Sequence, residues 1–136
     1  MSGLGALSWA AWLVVALGAA IGAPLRYAVD RWAFGLTAAT SQSRSAWLRQ
    51  PWGLVIVNVG GSAIAGIALA ATDGNARMLL AVGFCGSLTT FSSFGWAAVT
   101  SWSSDRRAFW AGLLVMTAGC IAAFAAAFYS VSAMAG

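Results

Sequence analysis

Residues 83–94 read GFCGSLTTFSSF and lie within an apolar run from Met78 to about Val99. Two glycines, Gly83 and Gly86, stand in its first half. Five hydroxyl side chains occupy positions where a helix facing lipid would carry leucines: Ser87, Thr89, Thr90, Ser92 and Ser93. A polar group inside a bilayer must be satisfied within the protein, so this polarity indicates either helix packing or a path for a solute. We therefore expect the helix to be interrupted here, releasing carbonyls that suit a cation and a helix start that suits an anion.

The composition places the whole chain in a membrane. Of its 136 residues, 61% are hydrophobic and 7% are charged, whereas roughly a quarter of a soluble domain is charged. The sequence has no His, Glu or Lys, and its acids are Asp30, Asp73 and Asp105. Because a protonatable pair for acid–base chemistry inside the membrane is missing, we expect a protein that is not an enzyme. The net charge of +4 comes from arginines and predicts contact with membrane lipid rather than with nucleic acid.

Four apolar stretches are long enough to cross a bilayer as helices, which takes roughly 20 residues. They are residues 4–28, 52–71, 78–99 and 108–131. The only sizeable connection is 29–50. The first stretch has no basic segment before it and is too long for a signal peptide, so we expect it to be retained. The sequence thus predicts one all-α integral membrane domain over residues 1–136, with four transmembrane helices.

Two neighbouring segments also carry glycines and polar groups at membrane depth. LVIVNVGGSAIAG, residues 54–66, sets Asn58 inside the second span. GAAIG, residues 18–22, has glycines four apart that permit close helix approach. Pro24 and Arg26, which follow it, predict a helix break and a cation near the membrane edge. Each feature alone also fits ordinary packing, because a lone membrane Asn often joins helices and hydroxyls can bond to their own helix.

Together, GFCGSLTTFSSF, LVIVNVGGSAIAG and GAPLRY (22–27) resemble the three signature segments of the Fluc (CrcB-type) fluoride channels, in that family's order and spacing. The resemblance covers the first three spans well and the fourth weakly. It implies a four-helix subunit with a broken third helix in the bacterial plasma membrane. It also implies an antiparallel dimer with two fluoride pores along the subunit interface and a structural sodium ion (Na+) at its centre. Fluoride would leave the cytoplasm passively, which gives fluoride resistance.

The resemblance implies roles for the residues that match the family's motifs. Asn58 becomes a pore-lining hydrogen-bond donor, and Phe91 and Phe94 become the rings that flank the fluoride path, although their spacing alone also fits a helix core. Ser92 adds a hydroxyl to the path, and Thr117 is the pore-facing hydroxyl of the fourth span. The positive edge of an aromatic ring can meet a small anion without the grip of a full charge. Conduction needs such weak, multiple sites.

Three further positions match the family, and two depart from it. The backbone carbonyls of Gly86 and Thr89 match those that hold sodium, and carbonyl oxygens suit a hard cation. Arg26 matches the arginine that would attract anions into an aqueous vestibule. Ser87 stands where the family usually has a second glycine, and it is expected to alter the backbone turn there. Thr117 is alone where the family carries a row of Tyr, Ser and Thr, which predicts an incomplete pore lining.

Two other functions remain open at this stage. A small four-span drug or cation exporter has a similar length and also works as an antiparallel dimer, but it couples transport to a membrane-embedded carboxylate, usually Glu. This sequence has no Glu, and its three Asp lie at the ends of spans. The other alternative is a non-conducting structural subunit of a heterodimeric channel, which stays open because the fourth span carries few polar residues.

The arginines predict an orientation in the membrane. The connections 29–50 and 100–107 share one side, which holds Arg31, Arg44, Arg49, Arg106 and Arg107, with Arg26 close by. The other side holds both termini and Arg77. Since Lys and Arg favour the cytoplasmic side, we expect one dominant orientation with both termini outside. An antiparallel dimer then requires a paralogous subunit of opposite orientation, whereas a dimer of this chain with itself requires dual topology, which survives if interfacial structure in 29–50 hides its arginines.

Overall fold

The computed structural model describes residues 9–38 and 52–135, and within these ranges every element is helical. The elements are α1 (Trp9–Ala38), α2 (Trp52–Ala71), α3 (Gly74–Arg77), a π-helical segment (Met78–Cys85), α4 (Gly86–Leu88), α5 (Phe91–Ser104) and α6 (Arg106–Ala135). Four stretches of the described chain are long and apolar enough to cross a membrane: Trp9–Ala33, Trp52–Ala71, Gly74–Ser104 and Arg106–Ala135. The predicted all-helical fold with four spans is therefore confirmed for these residues.

The first helix continues through its proline. The sequence predicts a break near Pro24, and this prediction is wrong, because α1 is a single helix that contains Pro24 and Arg26. A break would leave peptide groups unpaired inside the bilayer, so a membrane helix keeps its hydrogen bonds on either side of a single proline. Consequently α1 includes the first part of the predicted 29–50 connection, while residues 39–51 lie outside the described ranges.

Small residues bring α1 into backbone contact with the third span. A methyl group on Gly18 would overlap the carbonyl oxygen of Leu79 and lie 2.8 Å from the backbone nitrogen of Phe84. A methyl group on Gly83 would lie 2.5 Å from the carbonyl oxygen of Val15. Backbones can approach this closely only where a side chain is missing. The packing role expected of GAAIG is thus the one that the structure shows.

The third span is interrupted at two threonines. Thr89 (φ −79°, ψ 158°) and Thr90 (φ −149°, ψ 126°) are extended between α4 and α5. Both residues belong to the stretch 83–94 in which the sequence predicts an interruption, whereas Gly83 and Gly86 lie within helical turns. Threonine tolerates extended backbone well because it is β-branched, and its hydroxyl can cap the next helix. Accordingly, Thr90 is the N-cap of α5, with its Oγ1 accepting from the backbone N–H of Ser93 at 3.4 Å.

The core lies between α2, α5 and α6. Its buried cluster is Leu54, Val55 and Met116, and half-buried Phe94 packs against it. Other large apolar side chains are strongly exposed among the described residues, with Phe91 at 82%. Exposed apolar surface on this scale marks contact with lipid or with another chain. One side of α5 therefore packs against the core through Phe94, and the side that carries Phe91 is exposed.

Candidate functional site

The amide of Asn58 is tied to the interruption of the third span. Asn58 Oδ1 accepts from the backbone N–H of Thr90 at 2.7 Å, and Asn58 Nδ2 donates to the carbonyl oxygen of Thr90 at 3.1 Å. In a continuous helix, the Thr90 N–H would bond to the Gly86 carbonyl. The Asn58 side chain thus replaces the helical partner of the Thr90 N–H. Asn58, which lies in α2 and 32 positions away, stabilises the interruption of the third span.

A second contact of Asn58 reaches α6. Asn58 Nδ2 also donates to the sulfur of Met116 at 3.5 Å, and both side chains are only 6% exposed. An Asn amide has two N–H groups and one carbonyl, so all three have partners. Hydrophobicity alone explains Met116, and nothing in its sequence context marks it as a partner of an amide.

The polar groups of the three helices open into one cleft. Its volume is about 340 Å³, and we call it the pore cleft. Its walls are Asn58, Ser62, Thr89, Thr90, Phe91, Phe94, Met116, Thr117, Cys120 and Ile121. Predicted site residues from the second, third and fourth spans therefore meet at one surface: Asn58, Thr89, Phe91, Phe94 and Thr117. Sequence reasoning missed Met116 and Cys120, because an apolar residue at a helical position gives no local sign that it borders a cleft.

The two phenylalanines stand edge to face at the rim of the pore cleft. The ring centroids of Phe91 and Phe94 lie 6.0 Å apart, with 62° between the ring planes. Phe94 is half-buried against the core, whereas Phe91 is 82% exposed. An edge-to-face pair presents both the positive edge and the negative face of its rings. Phe94 thus packs against the helix core, as the spacing of the pair also allows, whereas Phe91 does not.

Hydroxyl groups surround the start of α5. Thr90 Oγ1 lies 3.2 Å from Ser92 Oγ and donates to Ser93 Oγ at 3.3 Å. These side chains flank the N-terminus of a helix that continues to Ser104. A helix N-terminus carries a partial positive charge, and hydroxyls beside it can donate to an anion. Ser92, predicted to add a hydroxyl, is exposed at this position.

Room for this turn comes from glycines on the neighbouring helices. A methyl group on Gly61 would lie 2.5 Å from the Cγ2 atom of Thr89. A methyl group on Gly22 would overlap both the Oγ atom of Ser87 and the carbonyl oxygen of Phe84. Ser87 returns its hydroxyl to that same Phe84 carbonyl at 3.0 Å. The structure thus accommodates Ser87 within a regular turn, opposite a residue without a side chain.

The predicted cation ligands lie at the end of α4. Thr89 directs both its backbone N–H and its Oγ1 to the carbonyl oxygen of Cys85, each at 2.9 Å. The Gly86 carbonyl loses Thr90 as its helical partner, and Gly86 itself is exposed. The described residues contain no group of three or more His, Cys, Asp or Glu side chains that could hold a metal ion. Carbonyl oxygens such as those of Gly86 and Thr89 are hard ligands of the kind that suits a hard cation.

Arg26 borders a second cavity that also includes Thr90 of the interruption. This cavity has a volume of about 250 Å³, and Asp30, Thr90, Ser93 and Trp96 are among the residues that line it. Thr90 borders both cavities. Arg26 is thus near the start of α5 but does not line the pore cleft. Asp30, which sequence reasoning treated only as a residue at a span end, approaches α2 closely, since a methyl group on Gly53 would lie 2.7 Å from its Oδ1.

Comparisons with known proteins identify the family of this chain. The family model described as "CrcB-like protein, Camphor Resistance (CrcB)" matches residues 13–131. The chain is 32% identical over 119 residues to a fluoride-specific ion channel FluC from Koribacter versatilis, covering 82% of this chain and 87% of the relative. It is 32% identical over 130 residues to fluoride-specific ion channel FluC 1 from Streptomyces avermitilis, covering 88% and 94%.

A third relative matches over a shorter range. The fluoride-specific ion channel FluC of Thermus thermophilus is 39% identical over 90 residues, covering 62% of this chain and 64% of the relative. The family model covers most of the chain, including the glycine contacts of α1, the interruption of the third span and the pore cleft. With four helices able to cross a membrane, this chain is a multi-pass plasma-membrane protein that belongs to the CrcB-like family.

Proposed function

We propose that this chain is a subunit of a fluoride-selective channel through which fluoride leaves the cytoplasm passively, giving fluoride resistance. The observation that carries the proposal is the pore cleft itself, which is lined by exposed Phe91 together with Asn58 and Thr117. The relatives named above as fluoride-specific ion channels support it. The protein is accordingly a transport protein and not an enzyme.

The chemistry of the pore cleft suits a small anion. Fluoride must exchange its water for donors and positive ring edges that are individually weak, so that it can both enter and leave. Ring edges and hydroxyls meet this requirement, because neither carries a full charge. A larger halide would need a wider path and would gain less from each donor. Arg26 adds a positive charge beside the neighbouring cavity and would raise the local concentration of anions.

The path is completed by a second subunit. Phe91 is 82% exposed and forms one wall of a cleft whose other side is open. A ring that fixes an anion needs a closed, water-poor surrounding. We infer an antiparallel dimer, formed with a second copy of this chain or with a paralogous subunit, in which the partner closes the cleft. The single hydroxyl of Thr117 on α6 favours a partner that contributes further polar groups.

A sodium ion at the dimer centre fits the end of α4. The interruption turns the carbonyls of Gly86 and Thr89 out of regular helical bonding, and carbonyl oxygens are hard ligands. Two subunits would contribute them in symmetric pairs, which gives the ion oxygens from both. Replacing sodium by a large organic cation should lower both fluoride flux and dimer stability. Indifference to sodium would mean that the turn at Ser87 does not bind it.

The arginines favour one orientation, with both termini outside. Single cysteines at Ser43 and Asn75, in a protein whose Cys85 and Cys120 are replaced, would report the orientation through labelling from each side of the membrane. Asn75 is preferred to Gly74, whose φ of +52° would strain any side chain. Labelling of Asn75→Cys from outside alone supports the fixed orientation and a paralogous partner. Equal labelling from both sides supports dual topology and a dimer of identical subunits.

Flux from liposomes that contain the purified protein tests the function. Passive fluoride efflux with chloride efflux far smaller is the expected result. Chloride flux comparable to fluoride flux would contradict the proposal. Proton-coupled export of an organic cation would identify the exporter instead. An absence of any flux until a second subunit is added would identify a structural subunit of a heterodimer.

A further inference from the structure

The donor that fluoride needs from Asn58 is already occupied. The orientation of the amide is fixed, because the Thr90 backbone N–H can only donate and must therefore face Oδ1. One N–H of Nδ2 then closes the ring of hydrogen bonds with the Thr90 carbonyl. The remaining N–H points to the sulfur of Met116 at 3.5 Å. Asn58 can donate to an anion only if one of these two bonds is exchanged.

The two bonds differ greatly in how readily they can be exchanged. The bond to Thr90 is part of the two-bond ring that holds the third span open, so breaking it releases the backbone. The bond to Met116 ends on a thioether, which is a weak acceptor. Met116 also lines the pore cleft beside Thr117, so the shared N–H lies at the cleft wall. An anion that reaches this wall competes with sulfur and not with a carbonyl.

Met116 is held in place independently of Asn58. Its side chain is 6% exposed and forms the buried core cluster with Leu54 and Val55. Half-buried Phe94, whose ring is one of the two at the rim, packs against the same cluster. The sulfur therefore stays in position whether or not it accepts a hydrogen bond. A leucine in its place would keep most of the packing and remove the acceptor.

We propose that Met116 is a positioning residue that sets fluoride affinity, because its sulfur keeps the outward N–H of Asn58 paired in the empty pore and yields it to fluoride. The inference rests on the proposed function. A buried N–H without any partner would destabilise the empty protein, whereas a strong acceptor would withhold the donor from the ion. A weak acceptor satisfies both requirements. The exchange favours fluoride, since a halide that accepts hydrogen bonds more weakly displaces sulfur less readily.

Two substitutions at this position separate the idea from simple packing. Met116→Leu removes the acceptor, so the fluoride concentration at half-maximal flux should fall about fivefold, the factor expected for one net hydrogen bond. Met116→Gln offers a carbonyl oxygen in place of sulfur, so that concentration should rise by a similar factor. Met78→Leu is the matched control, because it makes the same change at the start of the π-helical segment and should leave fluoride dependence unchanged. The fluoride-induced rise in Tm should follow the same order, with Met116→Leu above the unsubstituted protein and Met116→Gln below it.

The outcomes are distinct. A purely structural role for Met116 would lower the Tm of both variants and leave the fluoride dependence of each within twofold of the unsubstituted protein, which would overturn the proposal. If Met116→Gln does not fold, the comparison of Met116→Leu with Met78→Leu decides alone, and equal fluoride dependence in those two overturns it. If the unsubstituted protein moves no fluoride with or without a partner, the proposed function fails and this inference fails with it. If the unsubstituted protein conducts fluoride and the Met116 variants show the same fluoride dependence as it does, only the role of Met116 is refuted.

Discussion

The two halves of the third span differ in what surrounds them. The N-terminal half, residues 74–88, buries Gly83, Cys85 and Leu88 and touches α1 through backbone atoms. The C-terminal half is α5, and none of its residues, all of which the structure describes, is buried. The same span therefore contains one segment whose glycines allow close backbone packing and another segment in which no side chain is buried. Asn58 holds the joint between them through Thr90.

This difference separates structural glycines and hydroxyls from those that can serve transport. In the N-terminal half, a small residue is required because a neighbouring backbone occupies the space of its side chain. In the C-terminal half, the exposed ring of Phe91 and the exposed hydroxyl of Ser92 are not enclosed by their own chain, so an ion or a partner subunit can reach them. Substitutions in the first half should lower stability, and those in the second half should change flux.

The largest effect is expected at Gly83. Gly83→Val would place atoms inside the contact distance of the Val15 carbonyl and of Gly18, and α1 cannot withdraw without losing its packing. We expect little or no folded protein after extraction in detergent, measured by yield and by size-exclusion chromatography. Gly95→Ala in α5 is the control, since a methyl group there would meet no atom of the described chain within 4 Å. A folded, monodisperse Gly83→Val protein would show that the helices are not packed as described.

The next effect is expected at the joint. Asn58→Ala removes both hydrogen bonds between the Asn58 side chain and Thr90. The backbone N–H and carbonyl of Thr90 then lose their partner. The free energy of unfolding should fall by roughly 2–3 kcal/mol, which thermal unfolding in detergent would measure. Ser62→Ala, on the same wall of the pore cleft, should change it by less than about 0.5 kcal/mol. Equal unfolding temperatures for the two variants would show that the joint does not depend on Asn58.

A change in flux without a change in folding is expected in the C-terminal half. Phe91→Ile keeps apolar bulk but removes the ring, so fluoride flux should fall at least about tenfold, equivalent to roughly 1.4 kcal/mol. The yield of folded protein should hardly change, because Phe91 is 82% exposed. Phe94→Ile should lower flux and also stability, since Phe94 packs on the core. Trp9→Ile, at another exposed ring, is the control for both. Unchanged flux in both phenylalanine variants would return the pair to a packing role.

The smallest effect is expected at Ser87, where the resemblance leads one to expect glycine. Ser87→Gly should lower the free energy of unfolding by only about 0.5 kcal/mol, because serine is a slightly better helix residue and its hydroxyl bonds within the same turn. The response of flux to sodium should not change. Gly22→Ala, made against the native Ser87, should be much more destabilising because of the overlap there. A clear gain in sodium response with Ser87→Gly would show that serine does distort the turn.

Sequence reasoning recovered the parts of this molecule that depend on local chemistry. Run length and hydropathy located the spans, and GAAIG indicated the close packing of α1. The glycines and hydroxyls of residues 83–94 indicated an interruption in the third span, and the extended residues Thr89 and Thr90 lie within that stretch. Pro24 misled because its local preference against helix is outweighed by the cost of unpaired peptide groups in a bilayer. Arg26 was expected to attract anions into an aqueous vestibule; it borders a cavity of its own, and Thr90 lines both that cavity and the pore cleft.

By itself, the sequence determined the membrane class, the four spans and the residue types available for an anion path, because hydropathy, length and hydroxyl content are properties of a segment alone. Only the tertiary structure decided that the interruption falls at Thr89 and Thr90, that Asn58 holds it open, and that Met116 takes the remaining N–H. The physical reason is that a buried amide bonds to whichever groups helix packing brings within about 3 Å of it. Here those groups come from two other spans, one 32 and one 58 positions away along the chain.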